Sequence, residues 1–496
     1  MIVPSLILKK SCSVMLAIPF GLLSACALDT PPKSSDLAAQ AVPSLDSQRH
    51  WANSGVPGEP AGGWLASFND AQLNRLVREA IDHNGDLAIA AIRVQQAEAL
   101  ATVLSSGLLP AAGARGRLGE SESQIVSVGA SWELDLWGRI RAQSRAAQSE
   151  RAATQADYVW AQRIVAAATA KAWFSLVKCT QLESALKQIV EVQARLVEIE
   201  GHRVATGAAP QTELEEARNA LRVNQDALIK ATQARVRAAQ ALELLLGRYP
   251  AGEVGAEPSL PALPPEPPAG LPANLVERRP DLIAASHRVA EAFDQRQSAQ
   301  AARLPSVSLD VAITGIRSNV LSLMDSSSPV KGVSASFLAP IFTGGKLKAQ
   351  ADYYTEAQKA AIVAYDNSAL EALSEVEAGL QSEASYRARV AELQARVEEC
   401  HTLLVREEAR VSIGSTDERG ALKSRQTLLL SEADLVSARA DQLNERVDLL
   451  LALGGDWRAA AKTTAQAADL PVQALPGASL AARSQKGGIH ESAAAQ

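Results

Sequence analysis

The chain has 496 residues, a formal net charge of −6, 47 % hydrophobic residues and 4 % aromatic residues. So small a charge on so long a chain gives no reason to expect a nucleic-acid partner. Ala, Leu, Gln, Glu and Arg dominate long stretches, a composition typical of long helices or coiled coil.

Residues 1–25 are predicted to be a lipoprotein signal peptide. Their apolar run, residues 14–23, is too short to cross a membrane as a helix. It ends in Leu23-Ser24-Ala25-Cys26, which resembles a bacterial lipobox, so Cys26 is the predicted lipidation site. An ordinary export signal with an incidental cysteine is the alternative. By resemblance to lipoprotein sorting in Gram-negative bacteria, Ala27 favours the outer membrane, and residues 26–63 are expected to be an extended, lipid-anchored segment.

The rest of the chain contains one unit twice. Leu109-Pro110 recurs 195 residues later as Leu304-Pro305, and Leu246-Gly247 recurs 207 residues later as Leu453-Gly454. Two constant offsets indicate a duplication with one net insertion in the second copy, equal in length to the difference between the offsets. Such repeats are typical of units that cannot complete their fold alone. We predict the domain order to be repeat 1 at 64–247, a proline-rich connector at 248–272, and repeat 2 at 273–457.

Each repeat is predicted to hold one β-hairpin, at about 110–137 and about 305–342. Apolar and polar residues alternate in both segments, which is the period of a strand with one dry and one wet face. Strands of about ten residues with this pattern fit a transmembrane barrel with a polar lumen. A β-sandwich on a soluble core is the alternative. The polar residues predicted to face the lumen are Arg115, Arg117, Glu133, Asp135 and Asp310.

Four strands cannot close such a barrel, because about eight are the minimum. Open sheet edges are not tolerated in lipid. The chain is therefore expected to oligomerise, and the strand count alone allows two copies or three.

Long helices are predicted after each hairpin, at 138–206 and 212–246 and again at 346–411 and 417–453. About 65 residues of helix would span about 100 Å. Paired alanine-rich helices of this kind are typical of an antiparallel coiled coil. Beyond residue 457 the composition predicts a disordered tail, 458–496.

Five motifs together resemble the outer-membrane efflux protein family, the TolC-like ducts, and in particular the lipoprotein branch of RND-type efflux outer-membrane factors. The resemblance covers about residues 64–457 and implies a homotrimer, with a twelve-stranded β-barrel and a periplasmic tunnel of twelve long helices. The fold class is then mainly α with a small transmembrane β part. The motifs are Trp64 with Phe68-Asn69-Asp70, Ser131 to Arg139, Arg278-Arg279-Pro280-Asp281, Pro340-Ile341-Phe342 with Gly344-Gly345, and Leu453 to Trp457.

The same resemblance assigns partners and sites. It implies a periplasmic adaptor and an inner-membrane RND-type pump, and it places adaptor docking at the two helix-turn tips, whose candidate residues are Arg203, Thr206, Gly207, Arg410 and Gly414. Helix capping explains the arginines and glycines equally well. The candidate periplasmic gate is Asp417, Glu418 and Arg419. There the sequence departs from the more apolar family pattern, and a solvated charge cluster at a helix start is the alternative.

The sequence contains no zinc-protease, P-loop or Gly-x-Ser-x-Gly motif, so we predict no enzyme activity, cofactor or metal site. The resemblance predicts a passive outer-membrane exit duct for small toxic compounds such as drugs, dyes or organic acids. A duct for protein or peptide export, as in type I secretion, is the alternative. A periplasmic coiled-coil lipoprotein without a pore is a third reading, and the alternating hairpins argue against it.

Overall fold

The computed structural model describes residues 30–41, 51–53, 55–58, 62–117, 123–255, 259–275, 278–318 and 330–458. The first part of the chain forms α1 (Ser34–Ala41), α2 (Trp64–Ser67), α3 (Ala71–His83), α4 (Gly85–Ser106), β1 (Ala111–Arg117), β2 (Ser123–Leu134), α5 (Arg139–Ala205) and α6 (Gln211–Leu245). The second part forms α7 (Pro272–Leu275), α8 (Pro280–Ala301), β3 (Ser306–Ser318), β4 (Val330–Leu338), α9 (Lys346–Ser412) and α10 (Glu418–Ala452).

The helices repeat residue for residue. Both α4 and α8 have 22 residues, both α5 and α9 have 67, and both α6 and α10 have 35. The first pair of helices keeps the smaller of the two sequence offsets, and the other two pairs keep the larger one. The predicted fold class, mainly helical with two repeats that each carry one hairpin, is confirmed.

The four strands form one antiparallel sheet in the order β1-β2-β3-β4. Each repeat supplies one hairpin, and β2 and β3 join the two repeats through twelve paired positions, from Ser123↔Ser318 to Leu134↔Val307. Among the described strands, β1 and β4 therefore each have one unpaired edge.

The chain divides into two compact units. The first includes residues 96–153 and 285–364, which contain the sheet and the adjoining parts of the helices. The second contains α2, α3, α6, α7 and α10 and the remaining parts of the long helices.

Aromatic packing builds the core of the second unit. Trp173 and Phe174 of α5 are fully buried, and the Phe174 ring lies 5.3 Å from the ring of Phe68. Asp70 fixes this corner with both carboxylate oxygens: one caps α3 by accepting from the Leu73 N–H at 2.8 Å, and the other accepts from the indole N–H of Trp173 at 2.8 Å. The motif at residues 68–70 thus has a packing role.

The prediction that residues 26–63 are extended is wrong at Ser34–Ala41, which forms α1. This stretch has no proline or glycine and consists largely of good helix formers, and Leu37 is only 2 % exposed. Further on, the Trp51 indole N–H donates to the Gly270 carbonyl at 3.1 Å. Residue Cys26, the predicted signal peptide and nearly all of the predicted tail lie outside the described residues.

Candidate functional site

One face of the sheet is polar. The strand register pairs Arg115 with Ser127, and it pairs Ser131 with Asp310. Alternation within β2 puts Ser127 and Ser131 on the same face. Asp310 accepts a hydrogen bond of 3.0 Å from the Ser336 hydroxyl. The sheet thus brings predicted lumen residues from both repeats onto one face.

Arg117 is the last residue of β1, and its backbone pairs with Ile125. It is the second residue after Arg115 in the same strand.

The opposite face of the sheet is apolar and exposed. Val128, Val311 and Val333 are 56 %, 47 % and 80 % exposed, and Phe337 is 69 % exposed. Trp132 lies on the same face and donates its indole N–H to the Leu108 carbonyl at 3.0 Å. Large apolar side chains exposed in a continuous band indicate a surface that meets lipid or another protein.

The end of β2 holds two of the predicted lumen residues. Glu133 lies within the strand, and the Arg139 Nη2 lies 2.8 Å from each of its carboxylate oxygens. Asp135 lies just beyond the strand, where its carboxylate accepts from the N–H groups of Ile140 at 3.0 Å and Arg141 at 2.9 Å. The Asp135 side chain thus satisfies orphan donors at the start of α5, and its place in the lumen stays a prediction.

The two tips have the same backbone geometry. Gly207 and Gly414 both have φ of +71°, the left-handed conformation that glycine adopts without strain. At the first tip the Ala208 N–H donates to the Arg203 carbonyl at 2.7 Å, and at the second the Ser415 N–H donates to the equivalent carbonyl of Arg410 at 3.0 Å. Each of these hydrogen bonds joins the residue after the glycine to the carbonyl five residues earlier, which is the pattern of a Schellman cap. Capping therefore accounts for the glycines.

Threonine at the first tip also serves its own backbone. The Thr206 hydroxyl donates at 3.0 Å to the His202 carbonyl and lies 3.1 Å from the Arg203 carbonyl.

The side chains at the tips differ. The Arg203 guanidinium lies 2.6 Å from Glu200 and 2.7 Å from Glu213. Arg410 has one ion pair in the described structure, with Glu407 at 2.9 Å, and its side chain is 57 % exposed. The reason is in the repeat itself, because the second copy has Gly420 where the first copy has Glu213.

The three candidate gate residues are all ion-paired within the chain. Asp417 caps α10 and lies 2.7 Å from the Arg419 guanidinium, whose hydrogen bond is the main reason that the pKa of Asp417 is lowered. Arg419 also reaches Glu200 on α5 at 3.2 Å. Glu418 lies 3.0 Å from Arg195 on α5. The start of α10 is therefore tied to α5 by two separate ion pairs.

Sequence reasoning missed Arg195, Glu200 and Glu213 as members of this network. Arg195 and Glu200 have partners that belong to the other repeat, so no local pattern points to them. The one local signal is the Glu200–Arg203 spacing, which puts the two side chains on one helix face.

The comparison with known families matches the two repeats as two separate ranges. Residues 76–248 and 271–455 match the family described as "Outer membrane efflux protein". The toluene efflux pump outer membrane protein TtgI of Pseudomonas putida is 30 % identical over 412 residues, 79 % of this chain and 86 % of that protein. The cation efflux system protein CusC of Escherichia coli is 28 % identical over 417 residues, 80 % and 88 % of the two chains.

Among solved structures, the Campylobacter jejuni CmeC outer membrane channel has the same fold. It aligns with a TM-score of 0.75 and 23 % identity over 84 % of this chain and 94 % of that chain.

Proposed function

Because the chain belongs to the outer membrane efflux protein family, we propose that it conducts small toxic compounds out of the cell. Members of this family are passive outer-membrane ducts of tripartite efflux systems and not enzymes. The substrates in this proposal are drugs, dyes, organic solvents or organic acids. The names of two relatives refer to toluene and to cations. Protein or peptide export, the alternative, has no observation in its favour.

The observation that carries the proposal is the two-faced sheet. A polar face that includes Arg115 and Asp310 suits a water-filled passage, and an apolar face that includes Val311 and Phe337 suits lipid.

Three copies of the chain close the duct in this proposal. The unpaired edges of β1 and β4 need partners in lipid, and three copies supply twelve strands. Helix α4 supports the same reading, because it is long and apolar enough to cross a membrane and most of it is not buried within one chain. Ile92 and Val103 of α4 are 52 % and 64 % exposed. A helix this apolar and this exposed needs a protein or lipid cover.

The N-terminal Cys26 carries lipid in this proposal and anchors the trimer in the outer membrane. Support comes from the Leu23-Ser24-Ala25-Cys26 pattern. Metabolic labelling with a fatty-acid probe tests it: wild type should incorporate the label, and Cys26→Ser should not.

The periplasmic adaptor docks at the two tips, and the charged cluster at Asp417, Glu418 and Arg419 controls the width of the periplasmic end. Exposure of Arg410 and of Ile413, which is 79 % exposed, supports the first statement. The ion pairs that tie α10 to α5 support the second.

Accumulation of a fluorescent dye in the native host tests the proposed substrate class. Deleting the gene should raise intracellular dye, and restoring it should return accumulation to the parental level. Unchanged accumulation would overturn small-molecule efflux, and comparison of the secreted proteins would then test export.

A further inference from the structure

The long helices of the second unit follow one another in the order α6, α5, α10 and α9. Helix α6 is tied to α5 by the ion pair of Arg235 with Glu183 at 2.6 Å. Helix α5 is tied to α10 through the Glu418 carboxylate, and α10 is tied to α9 by the ion pair of Asp434 with Arg396 at 3.2 Å. Helices α6 and α9 are therefore the outer members of the row.

The duplication gives the middle joint of this row a counterpart. Residues of α5 recur in α9, and residues of α6 recur in α10, 207 residues later. The joint between α5 and α10 is thus equivalent to a joint between α9 and α6. Because α9 and α6 lie at opposite ends of the row within one chain, that second joint needs two copies of the chain.

Within the chain, an apolar cluster closes the joint between α5 and α10. It contains Ile189 and Val192 of α5 and Leu429 of α10, which are 1 %, 7 % and 6 % exposed. Val192 precedes the tip glycine Gly207 by 15 residues, and Leu429 follows the other tip glycine, Gly414, by the same number. The two residues therefore lie at similar heights, about 22 Å from the tips.

Charged residues occupy the same places on α9 and α6. Glu399 is the counterpart of Val192, and Arg222 is the counterpart of Leu429. Both are exposed, and neither has an ion-pair partner among the residues of its own chain that the structure describes. An acid on α9 and a base on α6 thus lie at matching heights on the two outer helices.

The other charged counterparts of the cluster have partners in their own chain. Arg396 is paired with Asp434 at 3.2 Å, and Glu215 accepts a hydrogen bond of 3.5 Å from the Gln211 amide. These two charges are therefore already compensated within one copy.

The ion pairs between α5 and α10 do not recur between α9 and α6. Within the chain they are Lys171–Asp448, Lys178–Asp441, Arg195–Glu418 and Glu200–Arg419. Glu407, the counterpart of Glu200, is paired with Arg410 of its own helix. The other equivalent positions on α9 and α6 are uncharged, and they are Ala378, Ser385, Thr402, Ala241, Ala234, Gln211 and Thr212.

We propose that α9 of one copy packs against α6 of the next and that Glu399 pairs there with Arg222 of the partner subunit. This contact rests on the trimeric duct proposed above. The joints around the periplasmic end then alternate: those within a chain have an apolar cluster and several ion pairs, and those between copies have a charged pair in place of the cluster. Because salt screens exposed charges, the joints between copies are the more sensitive to salt.

Cysteine cross-linking in native outer membranes tests the contact. Glu399→Cys and Arg222→Cys are combined in a chain that also carries Cys179→Ser and Cys400→Ser, because both of these cysteines are free. A short bis-maleimide should then give covalent dimers and trimers on a denaturing gel. The matched control replaces Arg222→Cys with Lys230→Cys, which is also exposed on α6 but lies about two turns farther from the tip, and it should give monomer.

Charge reversal tests the ion pair itself. Glu399→Arg and Arg222→Glu should each lower the fraction of trimer that survives in detergent at low salt, and the double variant should restore it. High salt should reduce the difference between wild type and either single variant.

A protein that runs as a trimer but gives no cross-link between positions 399 and 222 would overturn the contact and leave the duct standing. A monomer in both assays would overturn the trimeric duct as well. Trimer levels that neither single reversal lowers would refute the ion pair. If a single reversal prevents assembly, the double variant decides, because its assembly supports the pair and its failure refutes it.

Discussion

The guanidinium of Arg419, in the first turn of α10, lies 3.2 Å from the carboxylate of Glu200, near the end of α5. Glu200 is 8 % exposed and is also paired with Arg203 at 2.6 Å. This buried carboxylate thus links α5 of the first repeat to α10 of the second repeat, and Arg203 in turn links α5 to Glu213 of α6. In the proposed duct, this contact keeps the periplasmic end narrow.

Arg419→Ala should widen that end. At the start of α10 it leaves the Glu418–Arg195 ion pair as the remaining described link to α5, so single-channel conductance in a planar bilayer should rise. The loss of unfolding free energy should be about 1 kcal/mol or less, because the network is partly solvated. Lys359→Ala, which breaks an exposed pair with Glu356, is the control and should leave conductance unchanged. An unaltered conductance in Arg419→Ala would remove this network from the gate.

Acid should weaken the same contact. Burial raises the pKa of Glu200, but hydrogen bonds from Arg203 and Arg419 outweigh burial, so its pKa is lowered overall. A carboxyl with a lowered pKa contributes stability above its ordinary value of about 4.5, and the contribution is lost as pH falls below that. Wild-type conductance should therefore rise below about pH 4.5. The rise should be smaller in Arg419→Ala, and an equal rise in both proteins would assign it to other groups.

Adjacent residues of β3 provide a test of the two faces. Val311→Lys places a charge on the apolar face and should cost about 2–4 kcal/mol at the middle of the bilayer. Asp310→Lys places the same charge on the polar face and should be inserted normally. The measurement is the amount of protein recovered in the outer-membrane fraction. Equal recovery of both variants would contradict the assignment of the faces.

Most of the fold could be predicted from the repeat offsets and from the alternation in the strands. The offsets are constant along the chain, and the alternation is a local pattern. They located the long helices closely and put Arg115 and Asp310 on one face. Alternation did not locate the end of β2, since the pattern continues past Leu134 to Asp135. The Asp135 carboxylate accepts from the Ile140 N–H there and so caps the start of α5. The Arg419–Glu200 pair depends on tertiary contact between the two repeats, which no sequence pattern contains.

Replacement of Asp135 tests its role as the cap of α5. Asp135→Ala removes the acceptor of two N–H groups at the start of α5 and should cost about 1 kcal/mol of unfolding free energy. Asp135→Asn keeps an acceptor oxygen and should retain most of that stability. Thermal unfolding of the purified assemblies gives the comparison. If both variants instead change ion selectivity without a stability difference between them, the residue faces the lumen after all.

Glycine substitutions separate backbone strain from crowding at two helix ends of the first repeat. Gly207 and Gly247 have nearly equal φ, +71° and +68°, so alanine should introduce similar strain of about 1–2 kcal/mol at each. A Cβ at Gly207 would meet nothing within 4 Å, whereas a Cβ at Gly247 would lie 2.5 Å from the His83 carbonyl oxygen. That oxygen belongs to the backbone and cannot turn away as a side chain would. Gly247→Ala should therefore unfold at a lower urea concentration than Gly207→Ala, by a further loss of about 1–3 kcal/mol. Equal midpoints would mean that the turn after α6 can move away from α3 at little cost.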